Sequence, residues 1–321
     1  MKRVFSLLIF ALLLNGCDDG NLTLETIDFE DAETKSCSDN NIIYKLKENE
    51  ALLLEIPKTT FENEPTDPDS PTVIDIDNST NRVVYRFYNG TVATDNICNT
   101  IPPATPYVSD QWTASSGKIE IATTTKTVAG TIAGSTVITG YNHRIVFKNI
   151  TFAKTNGTQV YETFVFGDYI TPATPLPFGF DKTADQCPIS KDVYNFTSGE
   201  ALTLENLDAS LIANVETLPD APRTAIIGSV KNKLIYRLYS NGVLSADYFC
   251  KTIPPTLPTV SEEWNGVNGV VNVSGIIEVT TIKSGTTAFK HNIVIKNATL
   301  KKDNSTFKLG DVYIYGELIT F

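Results

Sequence analysis

From Arg82 to Tyr88 apolar residues fall on both sides of an extended backbone: Val83, Tyr85 and Phe87 share one face, Val84, Arg86 and Tyr88 the other. β-branched and aromatic residues dominate, a composition that fits a pleated, half-buried surface. The same reading predicts strands over 42–46, 51–56, 72–76, 118–125, 143–153 and 159–170. Asn89-Gly90, Asn156-Gly157 and Asn241-Gly242 are turn signals. No stretch carries a sustained helical period with caps.

The pattern occurs twice. Val83-Val84-Tyr85-Arg86-Phe87-Tyr88 is answered 151 residues later by Leu234-Ile235-Tyr236-Arg237-Leu238-Tyr239. Cys98, Ile101-Pro102-Pro103, Pro106 and Trp112 match Cys250, Ile253-Pro254-Pro255, Pro258 and Trp264. His143, Ile145, Val146, Lys148 and Asn149 match His291, Ile293, Val294, Lys296 and Asn297. So many ordered matches define two homologous units, each long enough for its own core. Short strands with polar turns predict an all-β protein of two tandem antiparallel β-sandwich domains, jelly-roll or immunoglobulin-like, with strand order left open.

The N-terminus follows a different rule. Lys2 and Arg3 precede an apolar run from Val4 to Leu14, then Leu14-Asn15-Gly16-Cys17. The run is shorter than the roughly 20 apolar residues that span a bilayer, so it reads as a secretory signal. Leu14-Asn15-Gly16-Cys17 resembles the lipobox of bacterial exported lipoproteins, and the chain resembles an uncharacterised lipoprotein of the Bacteroidetes type. The resemblance implies cleavage before Cys17, lipid on Cys17, and a chain tethered to the cell envelope. Acidic residues directly after the cysteine imply outer-membrane and cell-surface delivery by the Bacteroidetes rule, and inner-membrane retention by the enterobacterial one; the leaflet stays open.

Five cysteines leave one without a partner in an oxidising compartment, and assigning Cys17 to lipid removes it. The other four form two similarly spaced pairs, which suggests Cys37 with Cys98 and Cys187 with Cys250, each bridge stabilising its unit by about 4 kcal/mol. The expected division is then signal peptide 1–16, lipidated acidic tether 17–36, first sandwich 37–170, Pro-rich linker 171–177 and second sandwich 178–321.

Without the signal the chain carries 24 basic and 37 acidic residues, net −13. Such a chain repels phosphate backbones, which excludes nucleic acid as a partner. Candidate chemistry is sparse. Trp112 and Trp264 follow a Pro-rich, bridge-pinned loop and are candidate stacking platforms for sugar rings, or else core residues closing each sandwich. Arg86 and Arg237, mid-strand, are candidates for binding a carboxylate ligand bidentately, or else lie across a solvated sheet face or pair with a nearby acid. His143 and His291 occupy equivalent places; one His per unit with no free Cys argues for framework over metal or catalysis. Glu62, Glu64, Asp67, Asp69, Asp75 and Asp77 form an acidic run in unit 1 that could offer calcium ligands, without the spacing of an EF-hand. No catalytic constellation, cofactor motif or metal spacing is evident. The expectation is a non-enzymatic, membrane-anchored binding or adhesion module, with a glycan or a protein as its ligand, a structural envelope component contacting partner proteins as the rival and a carboxylate-based glycan hydrolase as the weaker third.

Overall fold

The computed structural model describes residues 26–251, 253 and 255–321; the expected signal peptide, Cys17 and Pro254 lie outside them. Unit 1 holds β1 (Lys35–Ser36), β2 (Ile42–Lys47), β3 (Glu50–Glu55), β4 (Thr72–Asp75), β5 (Arg82–Tyr88), α1 (Thr94–Cys98), β6 (Val108–Ala129), β7 (Thr136–Lys154) and β8 (Gly157–Pro172). Unit 2 holds β9 (Asp185–Gln186), β10 (Val193–Phe196), β11 (Glu200–Glu205), β12 (Arg223–Ile226), β13 (Lys233–Ser240), β14 (Thr259–Gly266), β15 (Ile276–Ser284), β16 (Ala288–Lys302) and β17 (Ser305–Thr320). The protein is two antiparallel β-sandwich domains. Strand order in unit 1 is a meander, β1-β2-β3-β5-β6-β7-β8, with β4 set aside on β6.

β6 makes the sandwich. Its near half, Val108 to Thr113, pairs with β5, and its far half, Lys118 to Ile121, pairs with β4. Between them the register with β7 slips twice, at Ala114/Ser116 and Ser116/Lys118, and bulges of this kind bend a sheet. Gly117 stands at the bend with φ +136°, where a Cβ would lie 2.8 Å from Ile150 Cα. The folded sheet closes Leu52, Leu54, Val83 and Tyr85 of the near half into one core with Ile119, Ile121, Ile145 and Phe147 of the far half. Each such side chain contributes roughly 1.5–3 kcal/mol by leaving water. Unit 2 repeats the plan, except that the loop 267–275 splits the counterpart of β6 into β14 and β15.

The near half-sheet is buried on both faces. Tyr44, Leu53, Val84 and Tyr88 point away from the main core, into a second cluster with Val92 and Ile97. The loop bearing α1 covers them, and Cys37–Cys98 ties its far end beside β2, with the two Cα atoms 5.4 Å apart. This explains runs such as Ala51-Leu52-Leu53-Leu54, apolar at successive positions as in strands covered on both sides. In unit 2 Cys187–Cys250 does the same, and Phe249 stacks on Tyr194 at 4.6 Å.

The expected tether is partly fold. From Thr26 the chain lies along unit 1, with Ile27 and Phe29 buried in its core and β1 paired to β2. Buried Lys45 donates to the Phe29 carbonyl at 2.8 Å, its pKa lowered by burial. Phe178 and Phe180 are the equivalents in unit 2: Phe178 stacks on Tyr236 at 4.3 Å, and Asn195 replaces Lys45, donating to the Asp181 carbonyl. Each unit therefore includes the segment that enters it. Thr171 and Pro172 end β8, and Ala173 and Leu176 pack on the second core.

The units are docked through a length difference. Thr123 and His143, bonded across the β6–β7 hairpin, are 20 residues apart, while Thr281 and His291 of unit 2 are 10 apart. The extra length carries the hairpin onto β17. Asp311 N donates to Ala133 O at 2.7 Å, Lys308 N to Thr136 Oγ1 at 2.9 Å, and Tyr141 and Ser305 hydroxyls meet at 3.1 Å. Ile138 and Tyr141 belong to the core of unit 2. Reciprocally, Asn304 at the β16–β17 turn donates to Glu64 and to the Pro65 carbonyl. Gly310 makes the seat: with φ +120°, a Cβ there would lie 2.6 Å from the Ile132 side chain. Gly310→Val is expected to cost about 2 kcal/mol and to loosen the units. Faster proteolysis at 171–177 would report it, with Gly199→Ala, which meets nothing within 4 Å, as the neutral control.

Candidate functional site

Trp112 lies opposite Tyr85 in the β5–β6 register, and Trp264 opposite Tyr236 in β13–β14. Side chains facing each other across a ladder share a face, so both indoles point inward, 1 % and 4 % exposed. Trp112 packs on Tyr85 and Phe87 at 5.0 and 5.4 Å. Its Nε1 donates to Asp110 at 2.9 Å, and Lys154 Nζ sits 3.9 Å above the ring. Trp264 repeats this with Glu262 at 3.0 Å and Lys302 at 5.7 Å. Neither indole presents a face to a sugar ring, so of the two readings the core residue is the one the structure supports.

Arg86 and Arg237 lie on the opposite side, as alternation requires. Arg86 Nε donates to Gln111 at 2.8 Å. Arg237 bonds Glu205 and Glu263, both at 2.7 Å. Burial pulls its pKa down, but the two carboxylates outweigh this and raise it. Arg237 is thus paired with neighbouring acids and is not open to a carboxylate ligand.

The histidines anchor a polar strut present in both units. Asn63 Nδ2 donates to the Pro172 carbonyl at 3.3 Å, which turns its Oδ1 toward Thr171. The Thr171 hydroxyl donates to that oxygen at 2.6 Å and therefore accepts from His143 Nε2 at 2.9 Å. Nδ1 then accepts from Thr123 at 2.9 Å. Asn214, Thr320, His291 and Thr281 repeat the chain with 2.5, 2.8 and 2.8 Å links. Both rings are fully buried, and burial lowers the pKa of His143 to about 4 and lowers that of His291.

The acidic run is parcelled out rather than convergent. Glu64 and Asp67 hold Asn304, Asp75 pairs with Lys118 at 2.8 Å, and Asp77 caps its own turn through the N–H groups of Asn81, Ser79 and Thr80, which lower its pKa. Among the described residues no three His, Cys, Asp or Glu side chains converge on a possible metal position.

Two features are left without a role in the fold. The first is the loop after each second bridging cysteine: Ile101 is 86 % exposed and Ile253 82 %. Each belongs to a loop held at its base; in unit 1, Tyr107 N donates to Asn89 Oδ1 at 2.9 Å and Asn89 N to the Tyr107 carbonyl at 3.1 Å. The motif was evident as a repeat, but which residue faces outward was not. The second is a cleft of about 390 Å³ between the units, lined by Asn63, Tyr141, Glu262, Trp264, Lys302 and Phe307. It exists because the hairpin docks, and its only sequence signal is the change in spacing between matched residues, from 152 at the tryptophans to 148 at the histidines.

Two disulfides define a protein of an oxidising, non-cytoplasmic compartment. Among the described residues no helix is long and apolar enough to cross a membrane. Comparison with protein-family models, with curated proteins and with solved structures finds no match to this chain.

The strut has a pH signature. In the unfolded chain His titrates near pH 6.5, so between about pH 6.5 and 4 the unfolded state binds more protons than the folded one. Stability is complete above that window and falls as pH drops through it. His143 alone is expected to account for about 2 kcal/mol. Urea midpoints compared at pH 7 and 4.5 check this, and His143→Gln with His291→Gln should flatten the slope.

Proposed function

We propose that the chain is an exported lipoprotein, anchored through lipid on Cys17, that acts as a non-enzymatic binding or adhesion module, and that its contact elements are the two Ile-Pro-Pro loops. The observation that carries this is the exposure of Ile101 and Ile253 on equivalent loops. An apolar side chain held in water at the same place in two diverged units serves neither core. The unit 1 loop is tied through its bridge and its base, so little conformational entropy is lost when a partner covers it. Exposed aliphatic and proline residues, with the indoles withdrawn, favour a protein surface over a sugar ring.

The cleft lined by Glu262, Trp264 and Lys302 supports a second reading, a small polar ligand held between the units. A glycan array probed with the chain from Asp18 onward separates the two; silence there leaves the protein-binding version.

Two measurements test the proposal. Labelled palmitate should enter the wild-type chain in cells and not Cys17→Ser. A photo-crosslinking residue at position 101 or 253 should give adducts of one common mass, and none from the exposed Asn156. Failure at both loop positions removes them as the contact elements.

A further inference from the structure

The outer faces of the two far half-sheets are equivalent in position: both carry an apolar pair in the middle, Val146 with Val165 and Val294 with Ile314, and they differ at the end row. In unit 1 the terminal cross-strand row is Asp75, Lys118, Lys148 and Thr163. The matching row of unit 2 is Ile226, Ile276, Lys296 and Val312. The next row sets Val294 beside Ile314, which is 54 % exposed. The loop 267–275, which unit 1 lacks, prolongs this surface: Gly269 packs on Ile226, and Val271 is 66 % exposed. An exposed patch rich in apolar side chains, on the order of a few hundred Å², is often functional. The ion pair of Asp75 and Lys118 at the same place in unit 1 shows that the fold itself does not require Ile226 and Ile276 there.

Charge indicates the occupant. The chain is strongly acidic, so a second copy is repelled by most of its surface. On this face, however, the charged side chains of the cross-strand rows cancel. Glu278 pairs with Lys296 at 2.7 Å, and Lys290 with Glu317 at 3.2 Å. Here the long-range repulsion has no local counterpart, and two copies meeting across a two-fold axis would set this same patch against itself. Four strands about 4.8 Å apart, over rows spanning roughly 20 Å and the added loop, give a footprint of roughly 400–600 Å². That approaches the roughly 800 Å² per partner of a standard interface, enough for a modest association. We propose that the outer face of β12, β15, β16 and β17, with the loop 267–275, binds the same face of a second copy of this chain. This goes beyond the proposed function and does not depend on lipid or on Ile101 and Ile253.

Sedimentation velocity of the chain from Asp18 onward, which keeps every described residue, tests it over a micromolar concentration series. The wild-type coefficient should climb to that of a dimer. Val271→Asp with Ile314→Asp should stay monomeric throughout. Ile314→Thr, which retains β-branching and the fold, should weaken the dimer at least fivefold. Val165→Asp, at the unit 1 counterpart of Ile314, and Ile101→Ser with Ile253→Ser should leave it unchanged. A wild-type chain that is monomeric at every concentration overturns the proposal, as does a dimer indifferent to both unit 2 variants. Ile314-dependent binding of the monomer to phosphatidylcholine vesicles would also overturn it, assigning the face to a membrane.

Discussion

The near half-sheet of each unit is apolar on both sides, and a strand layer of that kind cannot stop at one core. Leu52 and Tyr85 satisfy their burial by the fold of β6, which brings the far half-sheet over them. Leu53 and Val84 have no second sheet to meet, and the chain supplies a lid instead, the short helix Thr94–Cys98 and its flanking loops. A lid this small has little apolar area of its own, so the covalent link to Cys37 stands in for packing. The bridge, the loop that follows it and the exposure of Ile101 all descend from that two-sided burial.

Duplication separates framework from function within one chain. Both copies keep the indole with an acid two residues before it and a lysine over its ring. Both keep the Asn-Thr-His-Thr strut, and both bond a tyrosine hydroxyl to a glutamate, Tyr85 to Glu50 at 2.7 Å and Tyr236 to Glu200 at 2.6 Å. These polar groups are satisfied internally and hold strand ends in register. The copies differ where something lies outside the unit: hairpin length, Gly310, the loop 267–275 and the end row of the far half-sheet's outer face.

Much of this was legible in the sequence. Alternation located the strands, and repeat spacing paired the cysteines as Cys37–Cys98 and Cys187–Cys250. Strand lengths in the hairpin arms were underread: β6 runs from Val108 to Ala129 where only 118–125 stood out, because Thr and Ser in its outer stretches carry no apolar period. Trp112 was ambiguous because a strand residue's face is known only once its cross-strand partner is. The acidic residues around Ile27 and Phe29 made that segment look solvated, although two large side chains suffice to fasten it. Ile101 could not be recognised as exposed, since an isoleucine in a loop reads as buried until the lid's geometry is known.

The Cys37–Cys98 bridge also shapes how the molecule bears load. Cys37 lies only eight residues after Phe29, near the end by which an N-terminally anchored chain is held. A pull applied at Ile101 reaches Cys98, crosses the bridge and passes to Cys37, so the 60 residues between the two cysteines form a closed loop outside the line of tension. The strands β2, β3 and β5 then carry none of the covalent load, and the lid can be tugged without being peeled from the sheet it covers. With the proposed anchor at Cys17, the zipped segment around Ile27 and Phe29 lies between that short path and the point of attachment.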